Sequence, residues 1–224
     1  MSLPIPNDSR TSSTGLLAAN ALACRRGRRL LFGGLDLRLD IGSVTWLRGT
    51  NGSGKTSLMR ILAGLSQPAD GEITWNGTPI GRVGGDARKQ IVYIGHANAL
   101  KDDLTLVEAV AFLAVLAGID DAAGRAHEAL GRLGLANRCD APVRTLSQGQ
   151  RRRGALARLV LDDQPRTWIL DEPFDALDSA SVETLCRVIE GHAGRRGAVL
   201  LTSHQSVEIS GAREFDLEPW RKAS

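Results

Sequence analysis

Apolar and polar positions change their period several times along this chain, and the changes divide it into strands and helices. Leu35–Ile41 alternates apolar and polar side chains as a half-buried strand does, and Val44–Leu47 is a short apolar run that leads into a glycine-rich stretch. Antiparallel pairing fits this first part of the chain. Beyond the glycines, Leu58, Ile61, Leu62 and Leu65 fall at helical spacing within Ser57–Leu65, and the turn-forming Pro68–Gly71 separates that helix from a strand at Glu72–Trp75. Further apolar strands are predicted at Ile91–Ile94, Trp168–Leu170 and Ala198–Thr202. Between the first two, Thr105–Leu161 is rich in Ala and Leu and reads as mainly helical, which is too much helix for a simple crossover. The pattern predicts an α/β protein: a mostly parallel sheet between helices, an antiparallel β part, and an inserted helical subdomain at about 98–161, clearest over Thr105–Asp140.

Two segments carry the chemistry. Gly49–Thr56 reads GTNGSGKT, a full match to G-x-x-x-x-G-K-[ST], and lies between a predicted strand and a predicted helix, the context of a phosphate-binding loop. Glycines at 49, 52 and 54 let successive backbone N–H groups turn around phosphate oxygens, and the following helix points its positive end at the same anion. The candidate nucleotide-binding residues are Gly49, Thr50, Asn51, Gly52, Ser53, Gly54, Lys55, Thr56 and Ser57, with Gly52 and Ser53 acting mainly through their amides. Lys55 is expected to reach the β- and γ-phosphates, and the Thr56 hydroxyl to ligate Mg²⁺. Trp168–Glu172, WILDE, adds two carboxylates at the end of an apolar strand. An isolated Asp-Glu pair is commonly a solvated strand end. Beside a phosphate loop, Asp171 becomes the second expected Mg²⁺ ligand and Glu172 the expected general base that polarises water for attack on the γ-phosphate. Together these predict a P-loop nucleoside triphosphatase using Mg²⁺, a class that includes kinases, GTPases and helicases.

Composition limits the setting. The chain has 224 residues, 42% of them hydrophobic, enough for one substantial core. Its longest apolar runs, such as those within Val107–Ala117, are far short of the roughly 18 residues that a membrane-spanning helix needs. Residues 1–15, MSLPIPNDSRTSSTG, read as a polar tail without the basic start and apolar middle of a secretory signal, so the expectation is a cytoplasmic protein. Cys24, Cys139 and Cys186 form no CxxC pair and are expected to be reduced structural thiols. The net charge is only +3, and the arginines at 151–153 would fan around a helix axis; they are expected to be a solvated helix start, with no nucleic-acid partner.

Leu146–Gln150, LSQGQ, narrows the class: it resembles the signature motif of ABC-type ATPases, between the two phosphate-site segments and at a helix start. The resemblance implies that Ser147, Gln148, Gly149 and Gln150 contact ATP held by the other subunit of an ATP-dependent homodimer. Ser147 suits an N-cap, and Gly149 permits close backbone approach. Ala176–Asp178 resembles the loop that passes between subunits in that family, and His204 in LTSH resembles its γ-phosphate-contacting histidine, a catalytic role it would share with Glu172 and Lys55. His127 and His192 are given no role. The stretches CRRGRRLLFGGLDLRL, LRGTNGSGKTSLMRILAGL and YIGHANALKDDLTLVEAV are similar to the ATP-binding subunits of the cytochrome c maturation system, a haem-exporter group. The ABC resemblance covers nearly everything from Leu16 to Leu217, and this narrower one implies a peripheral subunit on the cytoplasmic face of the bacterial inner membrane, with separate membrane-embedded partners.

Two positions depart from the family pattern. Ala97 stands where many ABC ATPases carry a Gln near Mg²⁺ and the attacking water, and a methyl group supplies neither donor nor acceptor. Slow but real hydrolysis is the expectation. The adenine-stacking position falls on Arg26, whose planar guanidinium can stack on a base. Arg25, Arg28 and Arg29 are alternatives, as is an ordinary basic turn around Gly27. Two rival functions stay open at this point: an ABC ATPase of DNA repair or ribosomes, which would bring tandem cassettes or coiled-coil insertions, and a module that binds ATP but hardly hydrolyses it.

Overall fold

The computed structural model describes residues 17–83, 89–164 and 166–221; the polar segment 1–15 lies outside them. Nine strands are described: β1 Leu17–Arg26, β2 Arg29–Leu39, β3 Val44–Arg48, β4 Asp70–Trp75, β5 Thr78–Pro79, β6 Ile91–Ile94, β7 Thr167–Leu170, β8 Ala198–Leu201 and β9 Ala212–Asp216. The described α-helices are α1 Lys55–Leu62, α2 Leu106–Leu116, α3 Ala122–Arg132, α4 Gln148–Leu156 and α5 Ser179–Gly194. The strands form an antiparallel sheet in the order β2-β1-β4-β5 and a parallel sheet in the order β6-β7-β8-β3-β9.

Both faces of the parallel sheet are covered over β3, β6, β7 and β8, which is why these strands read as continuous apolar runs. Leu47, Ile169 and Leu200 point into one core, shared with the antiparallel sheet and with Leu58, Met59, Ile61 and Leu62 of α1. Trp46, Trp168, Leu170, Val199 and Leu201 point into the other, shared with α2 to α5. Successive side chains of one strand thus anchor opposite layers.

The boundaries depart from the pattern for identifiable reasons. β2 begins at Arg29 and ends at Leu39, and Ile41 is 46% exposed in the turn that follows, keeping the period without facing the core. The helix predicted from Ser57 starts at Lys55, because Gly54, at φ 108°, already turns the chain into it. It ends at Leu62, and Leu65 is left 54% exposed. The long helical stretch is cut by Gly118 and Gly134, both near φ 70°, which let the chain reverse between short helices. Thr105 with Glu108 caps α2 and Ser147 with Gln150 caps α4, each as a reciprocal capping box. β9 has no apolar alternation; it pairs with β3 from Val44↔Ala212 to Arg48↔Asp216 and leads the C-terminal segment to the glycine-rich loop.

His192, given no role from sequence, is buried. Its ring stacks on Trp168 at 3.5 Å and its Nε2 lies 2.7 Å from the Arg166 carbonyl oxygen, bracing the start of β7. Burial pushes its pKa down to about 4, so the ring is neutral at physiological pH. The three cysteines are free thiols: Cys24 and Cys139 are buried and Cys186 is half-buried.

Candidate active site

The loop between β3 and α1 is shaped by its glycines. Gly49 and Gly52 have φ values of 145° and 78°, and a Cβ on Gly49 would lie 2.8 Å from Ser53 Oγ. A Cβ on Gly54 would lie 3.1 Å from the Phe32 ring, so the loop is seated on β2. The N-terminus of α1 opens into a cleft of about 260 Å³. Asn51, Gly52, Gly54, Lys55, Thr56 and Ser57 line one side of it; Gly49, Thr50 and Ser53 do not line it. Lys55 Nζ donates to the carbonyls of Gly49, at 2.7 Å, and Thr50, at 3.2 Å.

Asp171, Glu172 and His204 line the cleft as well. Asp171 follows β7 and is buried, and its Oδ1 accepts from the Thr202 hydroxyl at 3.0 Å. The same Thr202 oxygen accepts from the Glu172 N–H at 2.9 Å, so one buried hydroxyl fixes both acidic residues. Glu172 adopts a left-handed backbone, φ 51°, which is costly for a residue with a Cβ and turns its side chain out of the strand line. Its Oε2 accepts from the His204 N–H at 3.0 Å, and its Oε1 is 3.6 Å from His204 Nε2. Thr202 escaped the sequence reading. Its only signal was a polar residue two positions before His204, at the end of an apolar strand.

Arg26, at the end of β1, is exposed and lines the rim of the cleft with Leu31. Ser147, Gln148, Gly149 and Gln150 do not line it. They form the N-terminal end of α4, where Ser147 Oγ accepts from the Gln150 N–H at 3.2 Å, and Ser147 and Gln148 face outward. Gly149 abuts the turn after the acidic pair: a Cβ there would lie 2.7 Å from the Ala176 carbonyl oxygen.

The arginine run differs from its expected solvated state. Arg151 pairs with Asp102 on the surface, whereas Arg152 is only 3% exposed. The Arg152 guanidinium donates to the carbonyls of Gly95, Asp171, Glu172 and Pro173 at 2.7–3.2 Å and approaches Asn98 Oδ1 at 3.4 Å. It joins α4, the acidic corner and the segment carrying Ala97, which is itself exposed. Desolvation lowers its pKa from the usual arginine value, and Asp175, Asp171 and Glu172 oppose that shift.

The family model described as ABC transporter matches residues 32–175. The chain is 47% identical over 195 residues to the cytochrome c biogenesis ATP-binding export protein CcmA of Nitrosomonas europaea, covering 87% of this chain and 91% of that protein. The CcmA of Pseudomonas fluorescens is 46% identical, with 92% and 97% covered. Among solved structures, an ATP-binding subunit of an ABC transporter superimposes with a TM-score of 0.75 at 26% identity, over 84% of this chain and 79% of that one. A dimeric ATP-binding cassette bound to ADP and Pi shares the fold, with a TM-score of 0.71 at 21% identity over 84% of this chain and 88% of that one. The chain is an ATP-hydrolysing member of the ABC transporter family and belongs, within it, with the cytochrome c biogenesis ATP-binding export proteins.

Proposed function

We propose that this protein powers the haem-export step of cytochrome c biogenesis, as an ATP-dependent homodimer docked on separate membrane-embedded subunits at the cytoplasmic face of the bacterial inner membrane. The observation that carries the reading is the acidic corner of Asp171, Glu172, Thr202 and His204 facing Lys55 and Thr56 across one cleft, in a chain nearly half identical to proteins named for that export. None of the described helices is long and apolar enough to cross a membrane, so coupling to transport requires partner subunits. Phe112, Val115 and Leu116, all exposed on α2, offer such partners an apolar contact.

In this reading ATP lies with its phosphates over the N-terminus of α1, where the loop amides and the helix end receive them. Lys55 neutralises the β- and γ-oxygens. Asp171 presents Oδ2 free of the Thr202 bond, and Thr56 presents its hydroxyl. No cluster of three or more His, Cys, Asp or Glu able to hold a metal occurs among the described residues. Two oxygen ligands suit Mg²⁺, which takes its remaining ligands from phosphate and water. When bound, Mg²⁺ would offset charge on the phosphate oxygens. Glu172 accepts the proton of the attacking water at its carboxylate, which the His204 N–H holds in place. Arg26 stacks on the adenine from the rim. The outward-facing Ser147 and Gln148 serve the nucleotide of the second subunit, and the contact of Gly149 with the Ala176 turn ties that surface to the acidic corner.

Affinity purification of the protein from gently solubilised membranes tests the assignment. Haem-handling membrane subunits are expected to co-purify. Recovery of the permease of another transport system in their place would reject it.

A further inference from the structure

The C-terminal segment after β9 lies against the outer side of the phosphate loop. The Leu217 N–H donates to the Arg48 carbonyl at 3.1 Å, and the buried Leu217 side chain approaches to 3.4 Å from where a Cβ on Gly49 would sit. Arg221 makes an antiparallel bridge to Phe32, the residue beneath Gly54. Between these anchors, Glu218 Oε1 accepts the Thr50 N–H at 2.7 Å. Arg221 Nη1 completes the arrangement, 2.8 Å from Glu218 Oε2 and 3.1 Å from Thr50 Oγ1.

The Thr50 N–H belongs to the same peptide unit as the Gly49 carbonyl, which accepts from Lys55 Nζ. A single peptide plane is therefore held between a carboxylate and an ammonium group, an arrangement in which each hydrogen bond polarises the next. We propose that Glu218 is a positioning residue for the phosphate loop, fixing the Gly49–Thr50 peptide from outside and through it seating Lys55 for the nucleotide phosphates. The inference rests on the reading that this loop binds nucleotide phosphate. Three things support the role. Gly49, on one side of the plane, is unhindered by a Cβ, so the plane turns at little cost unless something holds it. When Lys55 engages phosphate in place of the loop carbonyls, Glu218 is the partner that stays on this peptide. The carboxylate is also permanently charged, since its bonds to Arg221 and Thr50 hold its pKa at about 2. A loop ordered before binding loses less freedom on binding, so Glu218 contributes to affinity without touching the ligand.

Calorimetric titration of Mg-ADP into the full-length protein and its Glu218→Ala, Lys55→Ala and doubly substituted forms tests this. Glu218→Ala is expected to raise Kd roughly fivefold to tenfold in the wild-type background and less than about twofold beside Lys55→Ala, because both changes act on one peptide. Glu218→Gln keeps an acceptor oxygen and loses the charge, so its Kd should fall between wild type and Glu218→Ala. An unchanged Kd in Glu218→Ala and Glu218→Gln, with or without a lowered Tm, overturns the proposal, as does the same factor in both Lys55 backgrounds. A wild-type protein that fails to bind Mg-ADP instead overturns the nucleotide reading itself.

Discussion

Replacing Glu172 with Gln is expected to lower ATP turnover by roughly 10²–10⁴-fold, the usual contribution of a positioned general base. The amide is isosteric and can keep an oxygen toward the His204 N–H, which now lies 3.0 Å from Oε2. The Thr202 bond to the residue's backbone is untouched. What is lost is the capacity to take a proton. Nucleotide binding should survive, and the variant should accumulate as a Mg-ATP-loaded dimer visible by gel filtration. Lys55→Ala should fail differently, losing affinity as well as turnover and forming no such dimer, because it removes the cation on the phosphates. A Glu172→Gln protein turning over at the wild-type rate would take Glu172 out of the base role.

Arg152→Ala is expected to be the second most damaging single change. The guanidinium donates to four carbonyl groups from two separate segments in a buried site, and its removal takes that donor from all four, leaving only the Glu172 carbonyl its bond from the Asp175 N–H. A loss of about 3–5 kcal/mol of stability follows, in the range for breaking a buried charged network. Turnover should fall with it, because the carbonyls of Asp171 and Glu172 are among those released. Arg152→Lys restores the charge but not the planar fan of donors, and should recover only part of either loss. Urea unfolding and steady-state hydrolysis measure the two effects. A variant within about 0.5 kcal/mol of wild type, the range of an ordinary surface substitution, would show that the arginine run is the solvated helix start that its sequence suggests.

The candidate phosphate site is legible because its residues are local: eight consecutive residues make the loop, and two consecutive carboxylates end an apolar strand. Most strands were legible for a similar reason, since β3, β6, β7 and β8 are buried on both faces and leave uninterrupted apolar runs. What escaped depends on partners distant in sequence. Arg152 looks like its neighbours in a basic run, and only the convergence of Gly95 and Asp171–Pro173 on one guanidinium sets it apart. Thr202 is one hydroxyl at the end of a strand until Asp171 and Glu172 are placed beside it. His192 sits in a polar helical context by sequence, yet packs on Trp168. β9 has no apolar alternation because it is an edge strand whose Arg213 and Glu214 face solvent. Arg26 lies at the rim of the cleft.

Binding, dimer closure and hydrolysis matter to the cell only if they drive the export step. The direct measurement is haem staining of membrane and periplasmic proteins from a strain whose only copy of this protein carries Glu172→Gln, with co-purification of the variant and its membrane partners from the same cells. An intact complex and no covalently haem-bound c-type cytochromes are expected. Normal levels of those cytochromes in that strain would contradict the cytochrome c assignment.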